Sequence, residues 1–172
     1  MTDRVLDVKN LSIDIPLAEG MLHAVDGIDI HVDKGETLCI VGESGCGKSL
    51  TSLAVMDLLP KKAIRQLERL DLAGASILDY SEQQMSNIRG SKMGMIFQEP
   101  MTSLNPVYTT GSQVMEAIML HQDVKKAEAQ KRTIELFREV GIPEPEQRIH
   151  MYPHEMSGGQ KQRVMIAMAL SC

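Results

Sequence analysis

The sequence contains a glycine-rich segment, residues 42 to 49, that reads Gly-Glu-Ser-Gly-Cys-Gly-Lys-Ser. Glycines allow successive backbone N–H groups to turn inward around an anion, and a helix that begins here points its positive end at the same place. Lys48 would then reach the outer phosphates of a nucleotide, and Ser49 would place its hydroxyl on Mg²⁺. The spacing therefore predicts a phosphate-binding loop, and the alternative is a glycine-rich turn with a surface lysine.

A second glycine-rich segment, Ser157-Gly158-Gly159, precedes a strong helix former at residues 161 to 170. A capping hydroxyl and bare amides at a helix amino terminus again suit an anion. Because Lys48 and Ser157 are far apart in the sequence, two such sites in one chain require either two ligands or a dimer. These residues alone leave a plain helix cap as the alternative.

Gln98 is a third candidate, because it follows an apolar run, residues 93 to 97, that predicts a buried strand. Open α/β sheets bind ligands at the carboxyl ends of parallel strands, where a polar side chain can contact them. The position of Gln98 is equally consistent with an ordinary polar residue at the end of a strand.

The elements that must position these residues begin with an antiparallel layer. Alternating apolar and polar side chains predict strands at residues 5 to 15 and 22 to 32, with Pro16 ending the first. The apolar run 37 to 41 predicts a buried strand before the phosphate loop. The helix after the loop is predicted to continue to about Leu59, since a proline follows.

The rest of the chain is mainly helical in its pattern, although residues 61 to 72 give no clear signal. Ser81 and Gln84 have the spacing of a capping box, and Gly141 has the position of a helix terminator. The elements predicted here are a possible short strand at 74 to 79, a short helix to Ile88 or Arg89, and two amphipathic helices at 112 to 121 and 125 to 140.

Composition limits the classes of protein that the chain could be. With 172 residues, 43% hydrophobic and 24% charged, it suits one globular domain, and its net charge of −5 gives no general attraction to nucleic acid. The sequence has no apolar stretch of the roughly 20 residues that span a bilayer, and no signal peptide opens it. We therefore expect a cytoplasmic protein with reduced cysteines.

Residues 156 to 164, Met-Ser-Gly-Gly-Gln-Lys-Gln-Arg-Val, resemble the signature motif of ABC-transporter ATPases, in which Leu usually stands at the position of Met156. The phosphate loop, Gln98 at the position of the family's Q-loop, and this motif stand in the family's order and approximate spacing. Three further segments narrow the resemblance to the oligopeptide, dipeptide and nickel importers, closest to the dipeptide type: 95 to 106, 152 to 155 and 162 to 170.

The resemblance implies an α/β fold, with a P-loop NTPase core of the ABC ATPase type, an amino-terminal antiparallel β layer and a helical subdomain. It implies a single ABC ATPase domain with the core at 1–97 and the Q-loop, helical subdomain and signature motif at 98–172. Gln98 is implied as a catalytic residue, and Ser49 and Gln98 as Mg²⁺ ligands. The residues implied to bind ATP are Gly42, Glu43, Ser44, Gly45, Cys46, Gly47, Lys48, Ser49, Leu50, Ser157, Gly158, Gly159 and Gln160.

The resemblance also implies partners. Two ATPase subunits, identical or different, would pair head to tail, so that the phosphate loop of one and the signature motif of the other enclose each ATP. Membrane permease subunits would hold this dimer, as a peripheral assembly, on the cytoplasmic face of the inner (plasma) membrane. The implied function is ATP hydrolysis coupled to import of peptides or related solutes.

Two departures from the family add further expectations. The sequence ends soon after Gln160, before the family's Walker B strand and catalytic Glu, so we expect a truncated core that is inactive alone and poorly stable, with an unpaired buried strand. The family stacks adenine on an upstream aromatic residue, and residues 16 to 24 offer only the ring of His23. The alternative functions are a non-catalytic fragment and a soluble ABC ATPase without a transport role.

Overall fold

The computed structural model describes residues 3 to 97 and 103 to 171, so Gln98 lies outside the described residues. The chain divides into two compact units, residues 1 to 86 and residues 87 to 172. The functional division expected at residue 97 stays a prediction.

The first unit is built on an antiparallel sheet with strand order β2-β1-β4-β5, in which β3 also pairs with β1. Val8, Leu11 and Ile13 of β1 are at most 1% exposed and form the centre of its core. The predicted antiparallel layer is therefore confirmed. The strands are β1 (Arg4–Leu17), β2 (Gly20–Asp33), β3 (Ile64–Gln66), β4 (Arg69–Leu72) and β5 (Ala75–Ser76).

The predicted end of β1 at Pro16 is wrong, because the strand continues to Leu17. Pro16 pairs with Met21 of β2, while β3 pairs only with residues 12 to 14 of β1. At Pro16 the strand therefore has a hydrogen-bonding neighbour on one side alone, where a missing N–H group is tolerated. The segment 61 to 72, which gave no clear pattern, supplies β3 and β4.

Asp7 of β1 forms a charged contact with β4. It accepts hydrogen bonds from Arg4 at 3.0 Å and from Arg69 of β4 at 3.2 Å. Burial raises the pKa of Asp7, but the bonds from Arg69 and Arg4 outweigh that effect and hold the pKa below its ordinary value. The carboxylate therefore stays charged and joins the two strands.

The helix after the phosphate loop, α1 (Lys48–Val55), ends earlier than the predicted Leu59. Asp57 adopts the left-handed conformation with φ of 55°, its N–H bonds Ala54 O at 3.2 Å, and the N–H of Leu58 bonds Leu53 O at 2.8 Å. This pattern is a Schellman motif, which satisfies the last carbonyl groups of a helix. Arg65 of β3 holds it, at 3.2 Å from Asp57 and 2.6 Å from Ala54 O.

Two strands predicted to be buried are absent from the structure. Residues 37 to 41 form no strand, and Leu38, Ile40 and Val41 are 45%, 46% and 90% exposed. Residues 93 to 97 make a single bridge, between Met93 and Arg89, and Ile96 and Phe97 are 50% and 45% exposed. A parallel strand is buried only between neighbouring strands and covering helices, and the described residues supply no such neighbours.

The second unit is a cluster of helices around one core. Its helices are α3 (Thr110–His121), α4 (Lys126–Glu139), α5 (Pro145–Arg148), a 3-10 turn (Pro153–Glu155) and α6 (Gly158–Ala169). Val114 and Ile118 of α3, Phe137 of α4 and Val164 of α6 are fully buried in this core. These helices therefore hold the Ser157-Gly158-Gly159 segment at the start of α6.

The predictions for the short helix after Ser81 and for the two amphipathic helices α3 and α4 were accurate to within two residues. A capping box opens α2 (Glu82–Ile88), since Gln84 Oε1 accepts from Ser81 N at 2.9 Å. Helix α3 begins at Thr110 rather than at residue 112, because Thr109 caps it through its hydroxyl. Gly141, with φ of 77°, follows the end of α4 as predicted. Within the described ranges, the structure shows no helix with the length and apolarity needed to cross a membrane.

Candidate functional site

The glycine-rich loop lies between the exposed segment 37 to 41 and α1, and it packs closely against β2. Gly45 and Gly47 have φ of 86° and 89°, in the left-handed region that glycine adopts without a steric penalty. A Cβ at Gly47 would lie 2.6 Å from the carbonyl oxygen of Ala24 and 3.1 Å from the side chain of Val25. Only glycine therefore fits at position 47, where α1 begins.

Lys48 folds back over this loop from the first position of α1. Its Nζ atom donates to the carbonyl oxygen of Gly42 at 2.7 Å and to that of Glu43 at 2.6 Å, and it lies 3.4 Å from Cys46 Sγ. The ammonium group is thus held inside the turn, next to the unpaired amides at the start of α1. Positive charge and helix amides at one place are what an anion site requires, and the binding of phosphate here stays a prediction.

Thr51 supports the loop, and the sequence analysis did not select it. Its side chain is 4% exposed, and its hydroxyl donates to the carbonyl oxygen of Gly47 at 3.1 Å. Its backbone N–H bonds the same oxygen at 2.9 Å. The signal available in the sequence was a hydroxyl residue four positions after the glycine that starts the helix, where a side chain can reach back to that carbonyl group.

Ser49 and Leu50 follow Lys48 on α1, where Ser49 is exposed and Leu50 is partly buried. The hydroxyl of Ser49 is a hard oxygen donor beside the anion site, which suits Mg²⁺, since that ion is held by few protein ligands together with phosphate oxygens and water. No group of three or more acidic, His or Cys residues that could hold a metal occurs among the described residues. The assignments of Ser49 and Gln98 to Mg²⁺ stay predictions.

The second predicted anion site lies in the other unit, at the start of α6. Ser157 Oγ accepts from Gln160 N at 3.3 Å, while Gln160 Oε1 accepts from Ser157 N at 3.0 Å. Gly158 and Gly159 are exposed, and a Cβ at either would meet no atom within 4 Å. The capping box thus fixes the turn and leaves the first helix amides accessible. Gln160, predicted to bind nucleotide, serves this turn through its side chain.

His23, considered as a platform for adenine, is engaged in a hydrogen bond with Asp14. Its Nδ1 lies 2.7 Å from Asp14 Oδ1, and its side chain is 71% exposed. The pair joins β1 to β2, where the two residues are cross-strand partners. A stacking role for the ring stays a prediction, and the pairing gives His23 a structural role of its own.

Comparisons with known proteins identify the family of the chain. The family model described as ABC transporter matches residues 25–172. An oligopeptide transport ATP-binding protein of Bacillus subtilis is 49% identical over 98% of this chain and 47% of its own length. A dipeptide transport ATP-binding protein of Escherichia coli is 46% identical over 98% of this chain and 51% of its own. The chain thus spans about half the length of these curated relatives.

A solved structure shares the fold. It is a dimeric ATP-binding cassette in a post-hydrolysis state with bound ADP and phosphate, and it has a TM-score of 0.83 at 25% identity. The alignment covers 96% of this chain and 69% of that one. The α/β fold predicted from the sequence is therefore confirmed.

Proposed function

We propose, since the chain belongs to the ABC transporter family, that it contributes the phosphate loop and the signature turn of an importer ATPase for peptides or related solutes. The observation that carries the proposal is the position of Lys48, whose ammonium group lies within the glycine-rich loop, 2.7 Å from Gly42 O and 2.6 Å from Glu43 O. The printed functions of the peptide-transport relatives support the solute class.

Each part of the chain has a distinct task in this proposal. Lys48 and the amides at the start of α1 bind and orient the phosphates of ATP, and Ser49 would hold Mg²⁺, which would supply positive charge to neutralise the phosphates. Gln98 orients the attacking water. The Ser157-Gly158-Gly159 turn of a second subunit contacts the terminal phosphate from the other side.

The dimer in this proposal is supported by two observations. One chain carries two glycine-rich segments, each at a helix amino terminus, in two different units. The related cassette was solved as a dimer with ADP and phosphate. A head-to-tail pair gives each ATP one site of each kind, so that ATP itself stabilises the dimer. Permease subunits would then receive the motion of dimer closure at the cytoplasmic face of the membrane.

Cys46 offers a direct test of nucleotide binding. Its thiol is exposed and lies 3.4 Å from Lys48 Nζ, so a nucleotide bound to Lys48 should shield it. With Mg-ATP at ten times its Kd, we expect maleimide labelling of Cys46 to slow about tenfold, in line with the occupied fraction. Labelling would be followed by peptide mass spectrometry.

Cys39 is the internal control for that measurement, because it is also exposed but precedes the loop. Its labelling rate should be the same with and without Mg-ATP. An equal rate for Cys46 under both conditions would contradict nucleotide binding at this loop.

The transport role needs a separate test, because a soluble ABC ATPase would share the nucleotide site. We expect the tagged chain, co-expressed with peptide-importer permease subunits from its source organism, to purify with them from detergent extracts. Lys48→Ala, which leaves Ser157 and Gly158 unchanged, is the control. It shows whether copurification with the permease depends on nucleotide. Purification free of permease, under conditions where Cys46 is protected by ATP, would favour the soluble alternative.

A further inference from the structure

Arg163 connects the signature helix to the end of the preceding long helix. It lies on the second turn of α6, and its Nη1 donates to the carbonyl oxygen of Val140, the residue that caps α4. The last carbonyl groups of a helix have no partner within the helix and carry partial negative charge. A guanidinium group supplies both a hydrogen-bond donor and a positive charge to such a carbonyl group. This contact therefore joins α6 to α4.

Gly141, which follows the cap of α4, lies directly against this guanidinium group. Its φ is +77°, and a Cβ at this position would lie 2.5 Å from Arg163 Nη1. The space that a side chain at position 141 would fill is thus taken by Arg163. Glycine here both ends α4 and admits the arginine.

The contact lies beside the anion site of α6. Arg163 and Gly159 both line a groove of about 580 Å³ between the end of α4 and the outer face of α6. Arg163 is one helical turn after Gln160, the residue that closes the capping box on Ser157. Met156 before the turn is 5% exposed and Val164 is fully buried, so apolar packing fixes the chain on both sides of the turn. Arg163, which is exposed, adds a directional bond from α6 to the end of α4.

We propose that Arg163 is a positioning residue, which acts through the carbonyl group of Val140 to orient the Ser157-Gly158-Gly159 turn toward phosphate. The functional part rests on the proposed function, because the turn acts on ATP bound by another subunit. Arg163 itself does not contact the nucleotide in this proposal. Its loss should leave the Lys48 site intact and weaken the step that needs the signature turn.

The test compares Arg163→Ala with wild type by two measurements. Hydrogen exchange of the amides in a peptide covering residues 156 to 162 should speed up about fivefold, as expected for the loss of one solvent-exposed hydrogen bond. Association of two copies in Mg-ATP should weaken about fivefold as well, while the Kd for ATP of the single chain stays unchanged. A residue that only stabilised the fold would not separate ATP affinity from association.

Arg138→Ala is the matched control. Arg138 lies on α4 in the same unit and pairs with Glu146 at 2.6 Å, but both side chains are about 60% exposed, so the pair contributes little. The substitution removes the same charge and should change neither exchange at residues 156 to 162 nor association. An equal effect of the two substitutions would overturn the proposal.

Gly141→Ala tests the same contact without removing the arginine. The new Cβ displaces the guanidinium group, so exchange at residues 156 to 162 should rise in this variant too. In the double variant Gly141→Ala/Arg163→Ala the rise at that peptide should be no larger than in Arg163→Ala. Arg163→Lys, which keeps the charge, should restore part of the association and remains informative if Arg163→Ala fails to fold.

The outcomes separate this proposal from the proposed function. Unchanged exchange at residues 156 to 162 in Arg163→Ala and Gly141→Ala overturns the role of Arg163, whatever effect Mg-ATP has on association. If exchange rises as expected but wild type does not associate in Mg-ATP, the orienting contact is supported and the ATP-dependent dimer of the proposed function is overturned.

Discussion

Lys48→Ala is expected to weaken binding of Mg-ATP about a hundredfold. The ammonium group lies inside the glycine-rich loop, bonded to the carbonyl oxygens of Gly42 and Glu43. Its contact with phosphate would be a hydrogen bond between charged groups, worth about 3 kcal/mol, and each 1.4 kcal/mol corresponds to about a tenfold change in Kd. Titration with a fluorescent ATP analogue measures the effect.

Lys62→Ala is the matched control for that substitution. Lys62 is an exposed residue in a turn of the same unit, and its replacement removes the same charge. The Lys62→Ala variant should bind the ATP analogue as wild type does. Lys48→Arg keeps the charge but places a larger, planar group in a tight turn, so we expect intermediate binding. An unchanged Kd in Lys48→Ala would contradict the anion site proposed at this loop.

The parts of the fold that the sequence could predict depend on neighbours close in the chain. The glycines and Lys48 form their loop through contacts within eight residues, and the capping boxes of Ser81 with Gln84 and of Ser157 with Gln160 each close over three positions. The alternation that predicted β1 and β2 is likewise local, since a short turn joins them. In each case the residues that determine the local structure lie close together in the sequence.

The parts that were wrong or missed depend on distant partners. Burial of residues 37 to 41 was inferred from apolar composition, but a parallel strand is buried only where other strands flank it. The early end of α1 depends on Asp57 in a left-handed conformation and on Arg65 from a later strand. Arg163 reaches a carbonyl group that is 23 positions earlier in the chain. No local sequence pattern indicates such contacts.

Gly47 belongs to the glycine-rich loop and also packs against the sheet of the first unit. This residue gives α1 its first turn, and its carbonyl oxygen accepts two bonds from Thr51. Its Cα faces the backbone of β2 at Ala24 with no room for a side chain. Placement of Lys48 therefore depends on direct backbone contact between the loop and the antiparallel sheet, which ties nucleotide binding to the stability of this unit.

Gly47→Ala should consequently be among the most damaging substitutions in the chain. The left-handed conformation of a non-glycine residue costs about 1 to 2 kcal/mol, and forcing a methyl group against the carbonyl oxygen of Ala24 adds about 1 to 3 kcal/mol. We expect a loss of about 3 kcal/mol in the free energy of unfolding, measured by urea titration. Binding of the ATP analogue should be lost as well, because α1 and Lys48 must shift away from the loop.

Gly45→Ala separates backbone strain from the steric contact. Gly45 has φ of 86°, close to that of Gly47, but a Cβ at Gly45 would meet no atom within 4 Å. It should therefore lose only about 1 to 2 kcal/mol, the cost of the left-handed conformation. Equal losses for the two variants would show that the loop does not rest on β2 as the structure has it. A larger loss for Gly47→Ala, together with loss of ATP binding, is what close contact between the loop and β2 requires.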